Sequence, residues 1–237
     1  MTAPFEPTTR RAKLGDPGAV ATRVWDLPTR VFHWLLALTV IGLIATGLSG
    51  VMEWHFRLGY AALSLLLFRL VWGFVGGRWS RFSAFIYAPR SVVSYLRGRA
   101  HPDQLIGHSP LGALSVFAVL GLLLVQVGTG LVADDEISAS GPLTSFVPGS
   151  LVSAATKWHA VPGKWLVITL VSLHVLAVLF YVIVKGRMLI RPMISGDKPL
   201  ADGTGASSRD DAASRLLAIV VFAACAGFAG WISSLRV

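Results

Sequence analysis

Six histidines occur in this chain of 237 residues. Four of them, His33, His55, His159 and His174, fall inside or at the ends of long apolar stretches. An ionisable side chain in such a stretch is costly to bury and therefore usually functional. His159 and His174 share one stretch, and their fifteen-residue separation corresponds to about 22 Å along a helix and a rotation of only about 60°. One helix can thus present an imidazole near each membrane surface, both toward one bundle interior. His33 lies at the depth of His174 and His55 at the depth of His159, which pairs His33 with His174 and His55 with His159. Opposed imidazoles across a helical bundle are the usual axial ligands of a six-coordinate haem iron that transfers electrons. The single cysteine, Cys225, excludes a C-x-x-C-H attachment, so two haems here would be of the noncovalent b type.

Haem propionates need cationic partners, and three arginines stand at suitable depths. Arg30 precedes His33 by about one turn and Arg57 adjoins His55. Arg69 lies about 21 Å beyond His55, at the level of the inner pair. Each has a plainer reading. Arg69 can snorkel inward and Arg57 outward, while His55 and His159, beside Trp54 and Trp158, can be interfacial residues. His101 and His108 read as surface or interface residues.

The elements that must hold these side chains are helices. The chain is 54% hydrophobic and 14% charged, with a mean hydropathy of +0.66, far from the roughly 25% charged content of soluble domains. Five apolar runs approach the roughly 20 residues a bilayer requires: about Val31 to Val51, His55 to Val75, Leu111 to Val132, Trp158 to Val184 and Leu216 to Leu235. Spanning backbone must satisfy its own hydrogen bonds, so the expected fold is an all-α integral membrane helical bundle. Asp26, Pro28 and Thr29 supply the start of the first helix. No cleaved signal peptide is read in the polar opening segment, residues 1–23. Residues 199–214, rich in Gly, Ser and Asp, read as a linker, part of a flexible stretch from Lys198 to Ser214. Residues 215–237 form a fifth, C-terminal helix.

The net charge of +9 does not form a nucleic-acid-binding face. It falls in short segments between spans: Arg10, Arg11, Lys13, Arg23 and Arg30; Arg78 to Arg99; and Lys185 to Lys198. The alternate loops are short or acidic (Asp134, Asp135, Glu136). This pattern places the N-terminus in the cytoplasm and the C-terminus outside. Residues Arg78 to Arg99 interleave arginine with Trp79, Phe82, Phe85, Tyr87 and Tyr95, as either an amphipathic segment on the inner surface or an ordinary anchored loop. Ala223, Gly227 and Gly230 have the small-residue spacing that docks a helix onto its own bundle or onto another copy, so a homodimer is among the assemblies the chain allows.

The segments VWDLPTRVFHW (Val24 to Trp34) and WHFRLGYAALSLLLFRLVWGFVG (Trp54 to Gly76) resemble the bacterial cytochrome b561 family, which is grouped with the b-type cytochrome subunits of nickel-iron hydrogenases. RFSAF at Arg81, GHSPLGALSV at Gly107, GTGL at Gly128, LHVLAVLF at Leu173 and RPMISGDK at Arg191 extend the likeness over residues 24–198. The resemblance implies a four-helix diheme core whose ligands fall on His33, His55, His159 and His174. It also implies electron exchange between membrane quinone and a redox partner at one face of the bacterial inner membrane. That partner is a periplasmic cytochrome c, or a hydrogenase or dehydrogenase subunit, with the chain then serving as the quinone-reactive subunit of an oxidoreductase. Departures are Ala160 where the family often has Glu, Pro162 close by, and the fifth helix. The rival readings are a stand-alone superoxide:quinone oxidoreductase and, from another class, a haem-free transporter or membrane anchor.

Overall fold

The computed structural model describes residues 19–99, 104, 106–137, 139–201 and 207–235. Arg10, Arg11 and Lys13 of the opening segment, and His101, lie outside the described residues. The elements run in chain order as β1 (Ala19–Arg23), α1 (Leu27–Ser49), α2 (Met52–Val75), α3 (Pro89–Leu96) and α4 (Pro110–Leu131). They continue with α5 (Gly149–Trp158), α6 (Lys164–Ile183), α7 (Ile190–Ser195), β2 (Asp197–Ala201) and α8 (Ala212–Ser234). A π-helical turn, His159–Gly163, joins α5 to α6 without a break, so residues 149–183 form one helix of 35 residues. Among the described residues five helices are long and apolar enough to cross a membrane, in agreement with the five expected spans. Their outer faces carry apolar side chains in the open, among them Leu38, Phe74 and Ile183 at 66%, 73% and 75% exposure. Such a surface suits lipid rather than water.

The capping chemistry sets the boundaries. Asp26 is the N-cap of α1 and accepts from the Thr29 amide at 2.8 Å, with Pro28 in the first turn. Gly50 ends α1 in the left-handed region at φ 73°, which reverses the chain directly into α2. Ser109 and Asp211 cap α4 and α8 in the same way as Asp26.

Helix α2 is the centre of the bundle, packed between α1, α4 and α8, while α6 packs on α4. Its buried face runs through Leu65, Leu66, Phe68, Arg69 and Trp72. On α8 the docked face is Ala218, Cys225, Ala229 and Ile232, with Phe222 edge-on to Phe68 of α2 at 6.0 Å. The stripe expected to dock, Ala223, Gly227 and Gly230, lies on the exposed side, and both glycines are free of close neighbours. Ala218 and Ala229, on the buried face of the same helix, pack against the bundle instead.

One end of the bundle is tied by polar contacts between distant residues. Here β1 and β2 pair antiparallel, Arg23 opposite Asp197, and the two side chains form an ion pair at 2.7 Å. The stretch from Lys198, expected to be flexible, is therefore a strand as far as Ala201. Residues 202–206 are outside the described set, and the chain is fixed again just before α8. There Ser208 is buried and bonded to the Val24 carbonyl at 2.8 Å, and Asp210 accepts from Arg23 at 2.7 Å. Asp26 closes the same end. Fully buried, it also accepts from Ser80 Oγ at 2.7 Å, the Gly77 amide at 3.0 Å and Trp72 Nε1 at 3.3 Å. Antiparallel succession places His33 and His174 toward this sheet end, and His55 and His159 toward the far end.

Candidate functional site

At the far end, His55 lies in the first turn of α2 with its ring against α1. Its Nδ1 is 3.2 Å from both the Leu43 carbonyl and Thr46 Oγ1. Thr46 gives its own hydrogen to the Gly42 carbonyl at 2.7 Å, so toward the imidazole it accepts. Across the bundle, His159 Nδ1 lies 2.8 Å from the Gln126 carbonyl on α4, and the Gln126 amide donates back to the His159 carbonyl at 2.9 Å. A carbonyl oxygen only accepts, so Nδ1 carries the proton in both rings and each Nε2 keeps its lone pair. This is the arrangement of a metal-ligating histidine whose other nitrogen is held by a second contact.

The two rings stand 6.0 Å apart between centroids at an interplanar angle of 84°. Imidazole-to-metal bonds run about 2 Å, so two rings bound to opposite sides of one ion have centroids about 6 Å apart. Glycine makes the approach feasible on each side. A Cβ on Gly47 would sit 3.1 Å from His55 Cε1, and one on Gly130 would sit 2.8 Å from His159 Cε1. The donor set, its spacing and the absence of Cβ atoms fit a haem that would be held by His55 and His159.

His159 had been expected to open its span, but all ten residues of α5 precede it. Pro162, a departure from the family pattern, removes one amide from the ladder, and the helix widens into the π turn around it. A π turn absorbs about one residue, so His159 and His174 are related by about fourteen α-helical steps. The offset becomes about 40° in the opposite sense to the uniform-helix value. Both still face one side.

At the sheet end, His33 of α1 and His174 of α6 are near enough to interact electrostatically. His174 Nδ1 is 3.2 Å from Ser115 Oγ on α4. His33 packs against Trp34 at 5.1 Å, and its Nδ1 is buried without a hydrogen-bond partner. The three arginines separate clearly. Arg57 is exposed, ion-paired to Glu53 and stacked over Trp54. Arg30 donates to the Ile194 carbonyl and lies 3.8 Å from Asp210. Arg69 is 3% exposed, with its guanidinium 4.7 Å over the Phe82 ring and Nη1 unpartnered.

Two features of the candidate site escaped the sequence reading. Gln126 looked like one polar residue in an apolar run, and only the fold shows that it grips His159. His108, expected at a surface or interface, is wedged between Trp25 and Phe85 at 4.6 and 4.3 Å, with Nδ1 buried and unpartnered. Burial, then the Arg69 charge and His33, push its pKa down to about 3, so its imidazole is neutral.

A family model described as prokaryotic cytochrome b561 matches residues 24–196. The chain belongs to that family. A probable Ni/Fe-hydrogenase B-type cytochrome subunit from Cupriavidus necator is 26% identical over 229 residues, covering 79% of this chain and 93% of the relative. Its counterpart in Azotobacter vinelandii is 28% identical over 77% of this chain and 90% of its own length. In Escherichia coli K12 the probable Ni/Fe-hydrogenase 1 B-type cytochrome subunit is 26% identical over 75% and 90%. Membership in the cytochrome b561 family, together with the five apolar helices, makes this a multi-pass membrane protein of the electron-transport class.

Proposed function

We propose that this chain carries electrons across the membrane through two b-type haems, one held by His55 and His159 and the other by His33 and His174. The observation that carries the reading is the far-end pair: two imidazoles 6.0 Å apart, each with Nδ1 directed at a main-chain carbonyl. The haem supplies reversible one-electron chemistry at iron. The protein aims the ligand nitrogens, keeps them neutral and excludes water. At the sheet end the same work falls to Ser115, which positions His174. Arg69, and the remaining N–H of Arg30, are the cationic groups that can meet propionates there. Arg57, already paired, is the weaker candidate at the far end.

Membrane quinone is the proposed lipid-side redox substrate. The proposed partner is a nickel-iron hydrogenase, because all the relatives described above are named as hydrogenase cytochrome subunits. The positive-inside rule supports a cytoplasmic sheet end, since Arg81, Arg90, Arg97, Arg99, Lys185 and Arg191 all flank it. The far end then faces the periplasm of the inner membrane. Its acidic loop is only partly available for steering, because Asp134 and Asp135 cap backbone amides of their own turn.

Anaerobic addition of a short-chain quinol to the purified chain tests this reading. Reduction of two b-type bands is expected. A chain that binds haem but is not reduced would remove quinone from the account, and a chain without haem would leave a haem-free anchor.

A further inference from the structure

Among the described residues, the buried polar atoms without hydrogen-bond partners at the sheet end include Arg69 Nη1, His108 Nδ1 and His33 Nδ1. Arg69 and His108 are linked through two aromatic rings. Arg69 lies over Phe82, Phe82 packs on Phe85 at 5.9 Å, and Phe85 packs on His108. His108 also lies within electrostatic range of both Arg69 and His33. A buried guanidinium normally requires an anion, and a buried donor requires an acceptor. The nearby carboxylate is Asp26, but its oxygens already serve Thr29, Trp72, Gly77 and Ser80. Arg69 therefore has a counter-charge at a distance and no acceptor at its Nη1.

We propose that His108 and Arg69 jointly bind one propionate carboxylate of the haem at the His33–His174 tier. The inference rests on the two-haem reading and adds a positioning residue, His108, to which the sequence had assigned only a surface or interface place. A neutral imidazole suits the role, because its N–H donates while Arg69 supplies the charge. Trp25 and Phe85 hold the ring on both sides and leave it little freedom to turn away. The main-chain carbonyl of His108, held by the Tyr87 hydroxyl at 2.8 Å, fixes the loop that carries it.

The test is a redox titration of both haems in the full-length purified chain and in His108→Phe, His108→Gln and Arg69→Gln. Phenylalanine keeps the aromatic packing and removes the donor, whereas glutamine restores an N–H. Loss of a propionate partner leaves more negative charge near iron and favours the ferric form. His108→Phe should move one midpoint to lower potential and leave the other unchanged, and Arg69→Gln should move the same one further. Each loss should also weaken retention of that haem by about tenfold, the worth of one charge-assisted hydrogen bond. The haem affected must be the one removed by His174→Ala, and His108→Gln should recover much of the shift. The unaffected haem reports that the bundle is folded. Unchanged midpoints in both His108→Phe and Arg69→Gln, with two haems bound, overturn the inference alone. An equal shift in His108→Gln also overturns it, by reducing His108 to packing. A wild-type chain without haem overturns the two-haem reading as well.

Discussion

An imidazole ligand must be aimed as well as present, and at the proposed ligands His55 and His159 the aiming is done by carbonyls that most helices keep for their own ladder. The close fit at Gly130 makes this site sensitive to a single methyl group. Gly130→Val is expected to displace the His159 ring and remove the far haem only, halving the b-type absorbance while the sheet-end haem remains. Asp26 is the other residue on which much depends. Asp26→Ala strands the buried donors of Trp72, Gly77 and Ser80, each worth about 1–3 kcal/mol when unsatisfied. A loss of about 3 kcal/mol or more is expected in thermal denaturation of the detergent-solubilised chain. At this scale the sequence was legible where cost marks a residue: a histidine deep in an apolar run stands out. Gln126 and His108 were not legible, nor was Asp26 beyond its place at the start of α1, because each gains the rest of its role from a partner at least 23 residues away in sequence that no local pattern announces.

Among the elements, the helix through residues 149–183 bears most on the proposed function, since it sets the rotation between a proposed ligand of each tier. Inserting one alanine after Gly163 turns His159 by about 100° relative to His174. The far haem should be lost and the sheet-end haem kept, read from the same difference spectra; retention of both would mean that the π turn re-forms elsewhere. The clasp of β1, β2 and the start of α8 has a definite pH dependence. Burial raises the pKa of Asp210, but the bonds from Arg215 and the Leu27 amide, and the charge of Arg23, outweigh it, so the carboxyl stays below the ordinary aspartate range. A depressed carboxylate stabilises the fold above the unfolded value of about 3.9 and loses that contribution as pH falls through the folded value. Amide exchange in β1 and β2 should therefore accelerate on acidification below about pH 4, and Asp210→Asn should show the fast exchange already at neutral pH. Hydropathy located four of the spans to within about four residues and missed the first nine residues of the fourth, which begins at Gly149. It could not show the clasp, whose strands lie on either side of four spans, nor the π turn, where Pro162 read as a departure rather than as a device.

For the molecule as a whole, the fifth helix covers the centre of the bundle instead of standing apart from it. Leu63 and Phe68 of α2 are buried, and α8 is packed along that helix. Removing residues 208–237 should lower the melting temperature yet leave both haems in place, because no proposed ligand lies on α8. The five apolar runs made the helical architecture readable from sequence. Which face of α8 docks was not readable, since alanine and glycine stripes of similar spacing occur on two sides of it and only packing distinguishes them. The most direct measurement is the pyridine hemochrome stoichiometry of the purified chain, alongside His55→Ala, His159→Ala and His174→Ala. The account predicts two b-type haems per chain, one left in each variant, and the same haem missing from His55→Ala and His159→Ala but retained in His174→Ala. A wild-type chain with no haem, or different haems lost from His55→Ala and His159→Ala, would contradict it.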